Sequence, residues 1–258
     1  MLLAIDIGNT NISFGFFPSA KRSRCTDICS KKNDKIIKTF DLPTKQYSFN
    51  KFCRKTGSIK ITDILISSVV PKLTNLLLSD CKKLLNKRPY IIGKDLQVPI
   101  PNHYRNPNQV GQDRLVNAYA GAEFYGTPLI VIDFGTAITF DIISKKGAYQ
   151  GGIILPGLLI SLEALNSRTA LLPKIKLATA KGLIGKDTKN SMLSGMIYGF
   201  AAMTEGLIVK LKKKLGRGTK VIVTGGNSNL ISKYCPNINY TDPLLTLKGI
   251  NLIYKKIS

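Results

Sequence analysis

Apolar residues in this chain gather in short runs broken by polar turns, the spacing expected of buried strands, with a few longer stretches that carry the helical period. In the first half, residues 2–6, 12–17 and 36–40 read as consecutive strands. Residues 51–55 then read as a short helix, 61–69 as a buried strand, 71–85 as a helix opened by Pro71, and 90–93 as a last strand. Residues 97–110, with three prolines, read as a loop that leads into a helix to about residue 124. The second half restarts with strands at 128–133, 137–143 and 148–155, and with a helix opened by Pro156. A long helix at 189–215, an apolar strand at 221–224 before Gly225-Gly226-Asn227 and another helix, and a last helix at 243–255 complete the reading.

One pattern occurs twice. Residues 3–14, which contain Asp6, Ile7, Gly8, Asn9, Thr10, Asn11, Ile12 and Ser13, are echoed by residues 130–140, which contain Asp133, Gly135 and Thr136. Each copy is an apolar strand ending in Asp, a Gly turn with small hydroxyl or amide side chains, and a second strand. Gly allows the backbone to turn tightly and approach a ligand, so successive N–H groups can face phosphate oxygens while the Asp holds a bridging cation. A single copy is equally a plain hairpin. Two copies half a chain apart imply duplication, and paired acidic phosphate loops describe a nucleotide site. Three hairpin-linked strands followed by strand–helix alternation fit an α/β fold of two duplicated RNase H-like, actin-like domains with an ATP cleft between them. They fit a doubly wound dinucleotide fold less well. In such a fold the Gly225-Gly226 pair is where a base and ribose would rest.

Composition narrows the classes. At 258 residues, 44% of them hydrophobic, the chain can bury a core of ordinary size. The formal charge of +23 invites a nucleic-acid reading. Most of that charge is Lys spread along the chain without interleaved aromatics, so solvated surface is the better account, and a positive field would draw in anionic substrates. The five cysteines lack paired metal-site spacing, and His103 is the only histidine, which removes multi-His metal chemistry and leaves a Ser-His-Asp triad to one residue. No run reaches the roughly 20 uninterrupted apolar residues of a membrane span. Asp6 breaks the first apolar run with no basic segment before it, so a cytoplasmic protein is expected.

The site chemistry is not that of a Walker loop. The Gly185-Lys186 pair lacks both the correctly spaced first Gly and a following Ser or Thr. Asp113 and Arg114 stand together at a helix N-terminus after the proline-containing loop. Asp can accept the proton of an attacking hydroxyl and Arg can offset the charge of a transferring phosphoryl group. The same pair also suits a helix dipole and a surface salt bridge.

Taken in order, several motifs resemble type III pantothenate kinases over nearly the whole chain: Asp6-x-Gly8-Asn9-Thr10, Tyr104 seven residues before Gly111-x-Asp113-Arg114, Asp133-x-Gly135-Thr136-Ala137, Gly151-Gly152 with Pro156-Gly157, Ile184-Gly185-Lys186-x-Thr188, and Thr224-Gly225-Gly226. The resemblance implies ATP-dependent phosphorylation of pantothenate, the first committed step towards coenzyme A, by a homodimer. It implies that Asp6 to Ser13 and Thr136 contact ATP, that Asp113 is the catalytic base, and that Tyr104, Gly111, Gln112, Asp113, Arg114 and Thr188 contact pantothenate. Asp133 would bind a monovalent cation, potassium or ammonium, and magnesium would accompany ATP, with Asp6 beside it. Residues 1–117 would form a domain with the first phosphate loop and the start of the substrate helix, and 118–258 a domain with the second loop and the base site.

Three departures stand out. Asp187 occupies the family's usual Asn position and adds negative charge beside a carboxylate substrate. The basic segment 21–35 is longer than the usual connection, and Asn227-Ser228 follows the Gly pair where small or apolar residues are common. Another phosphotransferase of the actin-like superfamily, or a non-enzymatic accessory transcription factor of the same family, is the alternative. The intact Asp113 and phosphate loops favour the enzyme.

Overall fold

A computed structural model of the protein describes residues 1–19 and 36–257. The basic segment 21–35, with Cys25 and Cys29, lies outside the described residues. The chain divides into two compact units: residues 1–100, 108–120 and 245–258, and residues 101–107 and 121–244.

The first unit is built on β1 (Leu2–Ile7), β2 (Asn11–Phe17), β3 (Lys38–Pro43), β4 (Asp63–Ser68) and β5 (Tyr90–Ile91), in the spatial order β3-β2-β1-β4-β5. The first three strands are antiparallel, and β4 and β5 join in parallel. The β1 sequence Leu-Leu-Ala-Ile-Asp-Ile is apolar on both faces because both are covered. Helices α1 (Phe49–Thr56) and α2 (Pro71–Leu85) supply Phe52, Leu77 and Cys81 to a core with Ile5, Ile7 and Phe14. There Phe14 stacks on Phe40 with ring centroids 4.5 Å apart. The other face meets the last helix, α8 (Leu245–Ile257), whose Leu247 lies against Gly15. The Ser48 side chain caps α1, Pro71 opens α2, and left-handed Asn86 closes it.

The second unit repeats the arrangement with β6 (Leu129–Phe134), β7 (Ala137–Ile143), β8 (Tyr149–Pro156), β9 (Lys220–Thr224) and β10 (Tyr240–Thr241), ordered β10-β9-β6-β7-β8. In both sheets the order is third, second, first, fourth, fifth, which is the duplication the repeated motif implies. Helices α4 (Leu158–Arg168), α6 (Phe200–Leu215) and α7 (Ser228–Ile231) cover the face that carries Ile130, Ile132, Phe140 and Val223. The fold is α/β, two duplicated RNase H-like units of the actin-like ATPase type.

Several boundaries differ from the sequence pattern. The third strand is Lys38–Pro43 instead of 36–40, because it follows the register with β2 that pairs Phe40 with Phe14. Pro156 ends β8 and does not open a helix; α4 starts at Leu158 with Gly157 as its N-cap. The long helix is α5 (Thr188–Ser194), a π turn at Gly195–Gly199, and α6 in sequence. By length and composition alone the run Thr188–Leu215 could cross a membrane. It contains Thr204 and Glu205, however, and buries Ala201, Thr204 and Ile208 within its unit, as a core helix does.

Candidate active site

In the first unit the turn between β1 and β2 is tied at its base. The Gly8 N–H donates to Asn11 O at 2.9 Å, the Thr44 hydroxyl donates to Gly8 O at 2.7 Å, and the Thr44 N–H donates to Thr10 O at 2.9 Å. A Cβ on Gly8 would lie 3.1 Å from Asn11 O, so the turn is as tight as its backbone allows. Asn9, Thr10 and Asn11 are exposed at its tip, Ile7 and Ile12 pair in the buried sheet behind them, and Asp6 pairs across the hairpin with Ser13. Thr44 is a member of this loop that the sequence pattern does not reveal. It sits at the end of another strand, and its role depends on the β2–β3 register.

The same unit holds Gly111 and the start of α3 (Gln112–Tyr125). The Arg114 N–H donates to Asp113 Oδ1 at 2.8 Å. Burial pushes the Asp113 carboxyl above its ordinary range, and the N–H and guanidinium of Arg114 act in the opposite direction. A carboxylate that is costly to ionise there is a stronger proton acceptor once ionised. The turn at Gly93, with φ +87, packs on the Gln112 side chain, whose amide oxygen is buried without a hydrogen-bond partner.

In the second unit three glycine turns meet around Asp133. A Cβ on Gly225, where φ is +88, would lie 2.2 Å from Asp133 Oδ1, and one on Gly135 would lie 3.2 Å from it. The Gly157 N–H donates to Thr136 O at 3.1 Å, and a Cβ there would collide with the Gly135 and Thr136 carbonyl oxygens. The Asn227 N–H donates to Phe134 O at 3.2 Å, so the segment after the Gly pair rests on the second hairpin. Asp133 is register-paired with Thr224, a residue 1% exposed whose hydroxyl has no hydrogen-bond partner. Beside Asn227 and Leu230 opens a cavity of about 620 Å³ lined by Leu162, Glu163, Asn166 and Lys176. Its size suits a nucleoside.

Tyr104 also belongs to this unit; its ring lies against Gly151 and 6.4 Å from that of Tyr149. Thr188 is exposed as the first residue of α5. Asp187 is the helix N-cap, accepting the Asn190 N–H at 2.8 Å, which holds its carboxyl below the ordinary range. Gly185 is fixed by space, since a Cβ would lie 2.2 Å from Ser191 N. His103 is exposed, with Nδ1 3.2 Å from Gln150 Nε2, an arrangement of a loop residue. Thus Asp6 to Ser13 and Gly111 to Arg114 are carried by the first unit, and Tyr104, Asp133, Thr136 and Thr188 by the second.

The family model described as type III pantothenate kinase matches residues 2–210. A relative from Persephonella marina, named type III pantothenate kinase, is 44% identical across 98% of this chain and 98% of its own. The chain belongs to the type III pantothenate kinase family. Among solved structures, a conserved Baf-family protein from Campylobacter jejuni matches with TM-score 0.59 at 22% identity, covering 99% of this kinase and 98% of that chain. The activator of the 2-hydroxyisocaproyl-CoA dehydratase from Clostridium difficile, solved with bound ADPNP, matches with TM-score 0.51 at 10% identity over 98% and 94%. These two likenesses concern the fold of the kinase alone.

Proposed function

We propose that this kinase transfers the terminal phosphoryl group of ATP to the hydroxyl of pantothenate, yielding 4′-phosphopantothenate and ADP on the route to coenzyme A. The observation that carries the reading is Asp113, half-buried at the start of α3 with desolvation raising its carboxyl above the ordinary range, in a chain of this family. The pantothenate oxygen attacks the γ-phosphorus, the bond to the β–γ bridging oxygen breaks, and the hydroxyl proton passes to the Asp113 carboxylate. Gly111, Gln112, Arg114, Tyr104 and Thr188 hold pantothenate. The turn from Asp6 to Ser13 and Thr136 hold the phosphates of ATP, and the cavity beside Asn227 takes its base and ribose.

Asp133 and the unpartnered Thr224 hydroxyl offer hard oxygen donors, which fit potassium or ammonium. A cation held there would supply positive charge to offset that of the phosphates. No cluster of three His, Cys, Asp or Glu side chains suited to a metal ion occurs among the described residues. Magnesium would accompany ATP, with Asp6 as the residue to hold it and its charge offsetting that of the phosphates. The functional form is a cytoplasmic homodimer; Leu171, Leu183 and Ile184, 90%, 67% and 83% exposed between α4 and α5, support a covering second copy.

The test is phosphorylation of pantothenate by the purified protein with ATP and magnesium, in potassium and in sodium. Potassium-dependent 4′-phosphopantothenate is expected. Absence of product from folded protein in potassium would remove the substrate assignment, and equal rates in both salts would remove the cation assignment.

A further inference from the structure

One face of the second sheet carries a polar row of which the reading above uses only the Asp133 end. Register partners in an antiparallel ladder share a face, so Asp133, its partner Thr139, and Asp141 two residues further along β7 point the same way. Asp141 is fully buried. Its Oδ2 accepts the Thr139 hydroxyl at 3.2 Å, and its Oδ1 accepts the hydroxyl of Tyr149, itself fully buried, at 2.9 Å. Tyr149 holds the segment that bears Tyr104. Its N–H donates to Pro101 O at 2.8 Å and its carbonyl accepts the His103 N–H at 2.9 Å. The Tyr104 N–H then donates to the Asn102 side chain at 3.0 Å, and the Tyr104 ring leans over Gly151 and Tyr149.

The first unit shows that the sheet does not require this. The residue equivalent to Asp141, judged by its pairing with the first strand, is Gly15, which pairs with Ala4 as Asp141 pairs with Val131. It is covered by Leu247 and makes no polar link. A buried carboxylate is expensive wherever an apolar contact would serve, so its presence in one copy only points to a task beyond stability.

We propose that Asp141 is a positioning residue for pantothenate, acting through the Tyr149 hydroxyl to fix the backbone and ring of Tyr104. The proposal rests on the reading that Tyr104 contacts pantothenate. Asp141 itself touches no substrate. Its fixed acceptor holds the Tyr149 ring in one rotamer, and that ring carries the main-chain bonds on either side of His103.

The experiment is steady-state kinetics on Tyr149→Phe, Asp141→Asn, Tyr104→Ala and the Tyr104→Ala/Tyr149→Phe pair, with melting temperatures alongside. Tyr149→Phe keeps the ring and loses one buried hydrogen bond, so KM for pantothenate should rise about tenfold while kcat and KM for ATP stay within about twofold. Asp141→Asn should do the same more weakly, and it stands as the test if the Phe variant does not fold. In the pair, the Tyr149→Phe effect should vanish, because its route runs through Tyr104. An unchanged pantothenate KM, or a rise shared equally by ATP, overturns the proposal, as does full additivity in the pair. If Tyr104→Ala leaves pantothenate KM unchanged, the substrate reading of Tyr104 fails instead.

Discussion

The two hairpin turns begin from the same motif and end differently. The first spans four residues between the Ile7–Ile12 pair, with an exposed Asn-Thr-Asn tip held from below by Thr44. The second spans three residues between Phe134 and Ile138, is partly buried, and is clamped by the glycine turns at Gly157 and Gly225. The fourth strands diverge in the same sense. β4 ends in Ser67-Ser68 and passes through Val69-Val70 into α2, whereas β9 ends in Thr224 and opens into Gly225-Gly226. Duplication thus kept the strand order and the Asp and separated the surroundings. One copy presents donors to solvent, while the other packs backbone around a carboxylate. A repeated motif therefore fixes where a ligand-facing turn lies, and the neighbouring loops decide what that turn can hold.

The sharpest way to break this division is to remove the base that only the first unit has. Asp113→Asn should lower kcat by about two to four orders of magnitude, with ATP binding and melting temperature little changed. Near-normal turnover would remove Asp113 from the chemistry. The wild-type pH profile checks the same residue. Its carboxyl is raised, so it stays protonated to higher pH, and kcat/KM should fall as pH drops through a limb lying above the usual Asp value of about 3.9. The sign for stability follows: ionising Asp113 costs more in the folded chain than in the unfolded one, so this group lowers stability as pH rises past the unfolded value.

Next in size are the glycines. Gly225→Ala places a Cβ 2.2 Å from Asp133 Oδ1 at φ +88, and should cost at least about 2 kcal/mol in ATP binding or folding. Gly8→Ala meets only Asn11 O at 3.1 Å without a positive φ and should cost clearly less; calorimetric titration with ATP and a melting curve would measure both. Equal effects would mean that the two turns are not differently packed. Thr44→Val should raise KM for ATP several-fold, about 1 kcal/mol for one lost hydrogen bond, and no change would show that the first loop does not need its clamp. Smallest of all, Asp187→Asn keeps an N-cap acceptor, so melting should be unchanged while KM for pantothenate falls slightly as the negative charge goes. Asp187→Ala should lower the melting temperature as well.

Much of this was legible in the chain. The repeated Asp-x-Gly turns, the apolar strands around them and Pro71 at a helix start are local signals, and each survives folding because the residues that make them also pack them. Asp113 was legible as chemistry but its desolvation was not, because an Asp at a helix start looks the same in sequence whether or not the fold shields it. Pro156 was misplaced for a related reason. Proline suits a first helical turn, but it also suits a strand end where its missing N–H is not called on, and the pairing with Ala137 settled the choice. Thr44, Asp141 and Tyr149 carried no visible signal. Their importance comes from strand registers that bring distant positions opposite each other, and an isolated Thr, Asp or Tyr in an apolar strand looks the same whether it is linked or not.

The π turn at Gly195–Gly199 has a consequence for evolution by insertion and deletion. A π turn is an α-helix that has absorbed one extra residue without breaking. Removing one residue there would restore an uninterrupted helix and turn everything before it, Thr188 included, by about 100° around the axis relative to α6. The core contacts of α6 would remain while the N-terminal end would present a different side. A single codon in this stretch is therefore an angular setting for the start of the helix, adjustable without rebuilding the core that anchors its far end.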